Sequence, residues 1–258
     1  MNVITYYEDL KWCNPQTDNR SLLEKWRESW RKRGWNPITL SVRHARKNQF
    51  YDKSKVESQN SIFHLYNPVN KKPFRELSFF YNLSCYRRLF AYSQFVIDNG
   101  ATMISDFDVM NYSWTPDMMR GVSENTIFIG ERCAWFLGLE GAKEINEALM
   151  SFSKESSPVE VKHGHEKIGY PHYSTLDIDV MEHYNKHFFK ILRTHEHDAC
   201  DFDKFHFYIT NIQQGSDDNF QKILQSIPLI HFDHGCYGAK GVKREMLRSE
   251  VVDFIRKI

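Results

Sequence analysis

The first 42 residues read as strand, helix and strand, and that order constrains the fold more than any other feature of the chain. Residues 2–7 (Asn-Val-Ile-Thr-Tyr-Tyr) are a short, mostly apolar run suited to a buried strand. Ser21 and Glu24 have capping-box spacing, and Leu22, Leu23, Trp26 and Trp30 then recur at helical intervals. Gly34 is placed to stop that helix, Asn36-Pro37 makes a turn, and residues 38–42 supply the second strand. A crossover of this kind favours parallel neighbouring strands. The expectation is therefore an α/β fold in which a mixed, mostly parallel sheet is flanked by helices.

The rest of the chain extends the pattern. Residues 43–76 are polar, basic and weakly periodic, and read as a long excursion. A helix is expected over 77–97, with Phe80, Leu83, Tyr86, Leu89, Phe90, Phe95 and Ile97 on its buried face, ended by Asn99-Gly100. Strands are expected at 101–105, 126–129, 205–210 and 228–232, and helices at 139–152, 180–193 and 217–226. Residues 153–179 read as a loop rich in Ser, His and Gly. The tail 243–257 reads as an amphipathic helix, with Met246, Leu247, Val251, Phe254 and Ile255 on its apolar stripe. No repeat or domain-scale linker interrupts the chain, so residues 1–242 are expected to form one domain with 243–258 packed on it.

Composition narrows the class. With 258 residues, 41% hydrophobic, and 19 Phe, 13 Tyr and 6 Trp, the chain can bury enough apolar surface to offset the entropy of ordering. No apolar run approaches the roughly 18–20 residues of a membrane helix, and the N-terminus lacks the basic and apolar regions of a signal peptide. Five scattered cysteines without a CxxC pair suggest neither a zinc ribbon nor a disulfide framework, and fit a reducing, cytoplasmic setting. Net charge is +1, yet residues 25–75 carry 13 Lys/Arg against 3 Asp/Glu. That segment reads first as a solvated helix face plus a loop, and second as a surface for a polyanion.

The chemistry concentrates in two places. Asp106-Phe107-Asp108 directly follows the apolar strand 101–105, unlike the similar triplets at Asp177/Asp179 and Asp201/Asp203. Ligands of parallel sheets bind at the carboxyl ends of strands. Two carboxylates two residues apart on a strand point the same way, and together suit a hard divalent cation, with diphosphate oxygens completing its shell. The second place is Leu229-Ile230-His231-Phe232, which leads into a glycine-containing turn. Its imidazole completes an O,O,N ligand set and shifts the choice from Mg²⁺ toward Mn²⁺. His234 is the competing imidazole, and Lys240 is placed to meet a phosphate.

The order of a Tyr-containing first strand, helix, second strand, Arg-bearing helix, apolar strand and Asp-x-Asp resembles nucleotide-sugar glycosyltransferases of the GT-A type. Ile230-His231-Phe232, followed by glycines and Lys240, is similar to the C-terminal element of the glycogenin-like and lipopolysaccharide galactosyltransferase-like branch. Lys240 lies farther from His231 than in that pattern, and no Pro-Trp follows.

The resemblance implies a GT-A-like fold and transfer from a nucleoside-diphosphate sugar, UDP-linked by preference, with Mn²⁺ or Mg²⁺ as cofactor. It implies that Asp108 and His231 ligate metal and that Asp106 contacts metal or ribose. Thr5, Tyr6 and Tyr7 would line the nucleoside pocket, Arg87 or Arg88 would stand near the donor, and Lys240 would reach a phosphate. Asp217 and Asp218 fall where related enzymes put an acceptor-contacting acid, with helix capping the competing role for Asp217. The His-Phe element favours a retaining route. The acceptor implied is a glycan or another anionic partner, modified nucleic acid included. The alternatives from other classes are a metal-dependent phosphohydrolase or nucleotidyltransferase, and a non-catalytic polyanion-binding protein. Histidines at 163, 165, 172, 195 and 197 match no zinc spacing. Trp26, Trp30 and Trp135 read as core, with Trp135 also placed to stack on a sugar.

Overall fold

The computed structural model describes residues 1–9, 19–54, 76–129, 133–155, 159–161, 172–174, 193–194, 199–201, 227–232, 249–250 and 252–253. The opening forms β1 (Asn2–Tyr6), α1 (Asn19–Arg31) and β2 (Asn36–Leu40), and the two strands pair in parallel, Val3 opposite Pro37. Two details differ from the sequence reading. Helix α1 already includes Asn19, so Ser21 lies inside the helix and does not cap it. The turn falls at residues 32–34, where Gly34 takes φ +85°, and Asn36 and Pro37 belong to the strand. Strand β2 is at the edge of the sheet, where a proline without an N–H is tolerated.

Two short helices, α2 (Val42–Ala45) and α3 (Tyr51–Ser54), break the expected excursion. Next come α4 (Glu76–Asn99), β3 (Thr102–Ser105), β4 (Val109–Asn111) and a 3₁₀ turn at Pro116–Met119. The chain continues through β5 (Thr126–Ile129), β6 (Ala134–Leu137) and α5 (Leu139–Glu155). Ile97, expected on the buried face of α4, is 40% exposed, because the last turn of the helix runs past the core.

Part of the expected 153–179 loop is instead an antiparallel pair, β7 (Val159–Val161) with β8 (His172–Ser174). Residue 193, expected to end a helix, lies in β9 (Arg193–Thr194). The remaining strands are β10 (Ala199–Asp201) and β11 (Leu229–His231). The helices expected at 180–193 and 217–226 and the strand at 205–210 otherwise lie outside the described residues. Of the tail, residues 249, 250, 252 and 253 are helical; Val252 is buried, and Asp253 pairs with Lys25 at 2.5 Å.

The main sheet runs β2-β1-β3-β6-β5-β9. Its β1/β2, β1/β3 and β5/β9 pairings are parallel, and β6 is antiparallel to both neighbours. A second sheet runs β10-β11-β4, with β11 antiparallel to β4.

Successive residues of a strand point to opposite faces, and the main sheet buries both. On one face Val3, Met103 and Phe136 pack with α1, β4 and β11; on the other Ile4, Ile104, Trp135 and Leu137 pack with α4 and α5. That two-sided burial explains why these strands read as unbroken apolar runs. Since both clusters share the sheet, the described residues make one α/β domain.

Helix α1 pins the segment that leaves β3. Its Trp26 Nε1 donates to Ser105 Oγ at 3.1 Å, and Trp30 Nε1 donates to the Val109 carbonyl at 3.1 Å. Just beyond the helix, Trp35 Nε1 donates to the Trp114 carbonyl at 2.7 Å. All three indoles are buried, so each N–H needs its partner.

Candidate active site at the carboxyl edge of the sheet

Strands β1 and β3 end side by side, and the sequence that follows them builds the site. After Ser105 the chain turns at once: Asp106 N donates to the Cys133 carbonyl at 2.7 Å, and Val109 N donates to the Asp106 carbonyl at 3.0 Å. Asp106 and Asp108 therefore sit in a turn between β3 and β4 and not on a strand. The period-two argument for a shared direction does not apply to them.

Their side chains have different partners. Asp106 Oδ1 and Oδ2 each lie 3.4 Å from Nη1 of Arg88, on α4. Asp108 Oδ1 lies 3.5 Å from Nε2 of His231. The second contact is set by backbone pairing, because His231 on β11 stands opposite Val109 on β4, and Phe232 N donates to the Asp108 carbonyl at 2.9 Å. Cys133, just before β6, accepts a side-chain hydrogen bond from His231 that favours the thiolate; burial, the larger effect, pushes the thiol up to about 11.

The end of β1 carries a second polar network. Tyr6 OH donates to Glu8 Oε2 at 2.9 Å, and Glu8 Oε1 accepts from Arg87 Nη1 at 2.5 Å. Arg87 Nε donates to Tyr51 OH at 3.1 Å. Tyr92 OH accepts from the Tyr6 backbone N–H at 3.1 Å. Burial holds both the Tyr6 and the Tyr92 phenols well above the usual tyrosine range, with Glu8 adding to the first and Asp106 to the second. Thr5 is fully buried. Tyr7 is half-buried and meets the Phe107 ring edge-on, with centroids 5.6 Å apart.

The structure thus brings Tyr6, Tyr7, Arg87, Arg88, Asp106, Asp108 and His231 to one edge of the sheet. It pairs Arg87 with Glu8 and Arg88 with Asp106. Asp217, Asp218, Lys240 and His234 lie outside the described residues. Trp135 is 2% exposed inside β6, a core residue with no face free for a sugar. Glu8, Tyr51, Tyr92 and Cys133 were missed by the sequence reading. Glu8 had a visible signal, an acid directly after the strand-ending tyrosines; the other three are brought in by packing alone.

Among the described residues, no three His, Cys, Asp or Glu side chains gather into a metal-binding group. What the site does offer is one carboxylate and one imidazole side by side. That pair suits two positions of a cation whose remaining ligands are phosphate oxygens or water.

No family model and no curated protein sequence matches the chain. Among solved structures, the crystal structure of a glycosyltransferase involved in the glycosylation of the major capsid of PBCV-1 aligns over 99% of this chain and 98% of its own. Identity is 8% and the TM-score 0.40. At that TM-score the likeness carries no weight, and the chemistry rests on this chain's own residues. No helix among the described residues is long and apolar enough to cross a membrane.

Proposed function

We propose that this chain is a glycosyltransferase that takes its sugar from a nucleoside-diphosphate sugar, UDP-linked by preference, and passes it to a glycan or another anionic acceptor. The observation that carries the reading is the 3.5 Å approach of His231 Nε2 to Asp108 Oδ1 at the carboxyl edge of a largely parallel sheet. Asp108 and His231 would hold Mn²⁺ or Mg²⁺, which when bound supplies Lewis-acid stabilisation of the diphosphate as it leaves the sugar.

The chain's own groups do the positioning. Asp106, oriented by Arg88, offers a carboxylate to donor hydroxyls. Tyr7 and Phe107 offer aromatic surface beside it for a base or a sugar ring. The Glu8–Arg87–Tyr51 network fixes the end of β1, so that these rings keep their places. In this reading Lys240 meets a donor phosphate, Asp217 and Asp218 face the acceptor, and the transfer retains configuration at the anomeric carbon.

The test is a thermal-stability screen of the whole chain against UDP-, GDP-, CMP- and dTDP-sugars, with and without Mn²⁺, followed by turnover assays on the best donor. A ligand that binds the native state raises its apparent stability. One sugar nucleotide should stabilise only when Mn²⁺ is present. Metal-dependent phosphate release from a simple ester, with no response to any sugar nucleotide, would replace this reading with a phosphohydrolase. Salt-sensitive polyanion binding without turnover would replace it with a binding protein.

A further inference from the structure

A separate cleft of about 400 Å³ lies between the last turn of α1 and the end of β4, lined among the described residues by Ser29, Lys32, Arg33, Asn111 and Tyr112. That size suits a small ligand. Its floor is preset. Ser29 Oγ donates to the Trp26 carbonyl at 2.9 Å and accepts from Asn111 N at 3.1 Å. Both ends of the Asn111 amide are bound to the Trp114 backbone at 2.8 Å. Tyr112 supplies an aromatic wall, and its backbone N–H is bound to the Pro228 carbonyl at 2.7 Å.

Two cations stand at the rim. Basic residues at a helix C-terminus ordinarily serve the exposed carbonyls there. In the last turn of α1 three of those carbonyls already have backbone partners: Glu28 O takes Lys32 N, Trp30 O takes Arg33 N and Trp35 N, and Arg31 O takes Gly34 N, all within 3.0–3.3 Å. Lys32 Nζ contacts Glu28 at 2.7 Å, while Arg33 has no carboxylate partner among the described residues. Among the described residues no carboxylate holds its guanidinium fork, and the polar groups of the floor are tied by hydrogen bonds.

We propose that this cleft is a second binding site, taking a small ligand that carries a phosphate or carboxylate group. Arg33 is the main contact and Lys32 the auxiliary charge. The site is distinct from the carboxyl-edge site: β4 starts one residue after Asp108 and ends at Asn111 on the cleft floor, which at the usual rise per strand residue separates Asp108 from the floor by about 10 Å. The proposal does not depend on the glycosyltransferase reading.

Calorimetric titration of the whole chain with inorganic phosphate, and separately with citrate, tests it and tells the two anion classes apart. Saturable binding of at least one is expected. Arg33→Gln should weaken it by on the order of tenfold or more, Lys32→Gln should weaken it less, and Asp108→Asn should not weaken it. Both substituted cations are exposed, so the variants should keep the fold. Absence of saturable binding with both anions, equal binding by Arg33→Gln, or loss in Asp108→Asn alone would each overturn the proposal.

Discussion

His231 Nε2 and Asp108 Oδ1 lie 3.5 Å apart, although the two residues come from distant parts of the chain. The contact follows from strand pairing, because β11 places His231 beside the residue after Asp108. Asp106, two residues before Asp108, faces Arg88 on helix α4. Neighbours in sequence, the two aspartates have separate surroundings.

The two acids should therefore behave differently. Asp108→Ala and His231→Ala should each abolish the stabilisation of the protein by Mn²⁺ plus a sugar nucleotide, and lower turnover about 10²–10³-fold. Asp106→Asn should keep a measurable Mn²⁺ response while weakening donor binding. Thermal melts with and without Mn²⁺ check this. Equal loss of the metal response in both aspartate variants would contradict the division.

Cys133 should be inert in the folded protein. A buried thiol raised from 9.0 to about 11 carries almost no thiolate at neutral pH. Alkylation at pH 8 followed by peptide mapping should leave Cys133 unmodified until the protein is unfolded. The raised value also has a stability consequence. The native state keeps its proton where the unfolded thiol has lost it, so this contribution is complete below about pH 9 and is lost as pH rises to about 11. Cys133→Ala should flatten that part of the alkaline unfolding curve.

The Glu8–Arg87 pair should contribute measurably to stability. Its side chains are 19% and 13% exposed, and Arg87 also holds Tyr51. Removing one partner leaves the other poorly solvated, at a cost of about 1–3 kcal/mol. Urea unfolding of Glu8→Gln, Arg87→Met and the double variant should show a double loss smaller than the sum. Additive losses would mean that the pair does not couple.

Gly141 should resist a substitution that usually stabilises helices. A Cβ there would stand 2.3 Å from Asn125 Oδ1 and 2.7 Å from Leu137 Cδ1. Asn125 cannot easily give way, since it has φ 61° and its Oδ1 accepts from Gly138 N at 3.0 Å. Gly141→Ala should destabilise by about 1–3 kcal/mol, read as a lower urea midpoint. A stabilised variant would show that α5 shifts freely.

Local order was readable in the residues themselves. The apolar run of β1, the tryptophan spacing of α1, the stop at Gly34 and the long helix before β3 all follow from local composition, periodicity and turn chemistry, which act over a few residues. The strand–helix–strand start also settled the parallel pairing of β1 and β2. Strands β4 and β6 were not legible. Val109–Asn111 is only three residues long, and Ala134–Leu137 is apolar on both faces and carries no period of its own.

The site divides in the same way. Asp106, Asp108 and His231 could be picked out, because acids at strand ends and a histidine closing an apolar strand are local signals. Which acid meets the imidazole, and which is taken by Arg88, was decided by the pairing of β4 with β11 and the packing of α4. Those contacts join residues far apart in the chain, and neither periodicity nor local spacing encodes them.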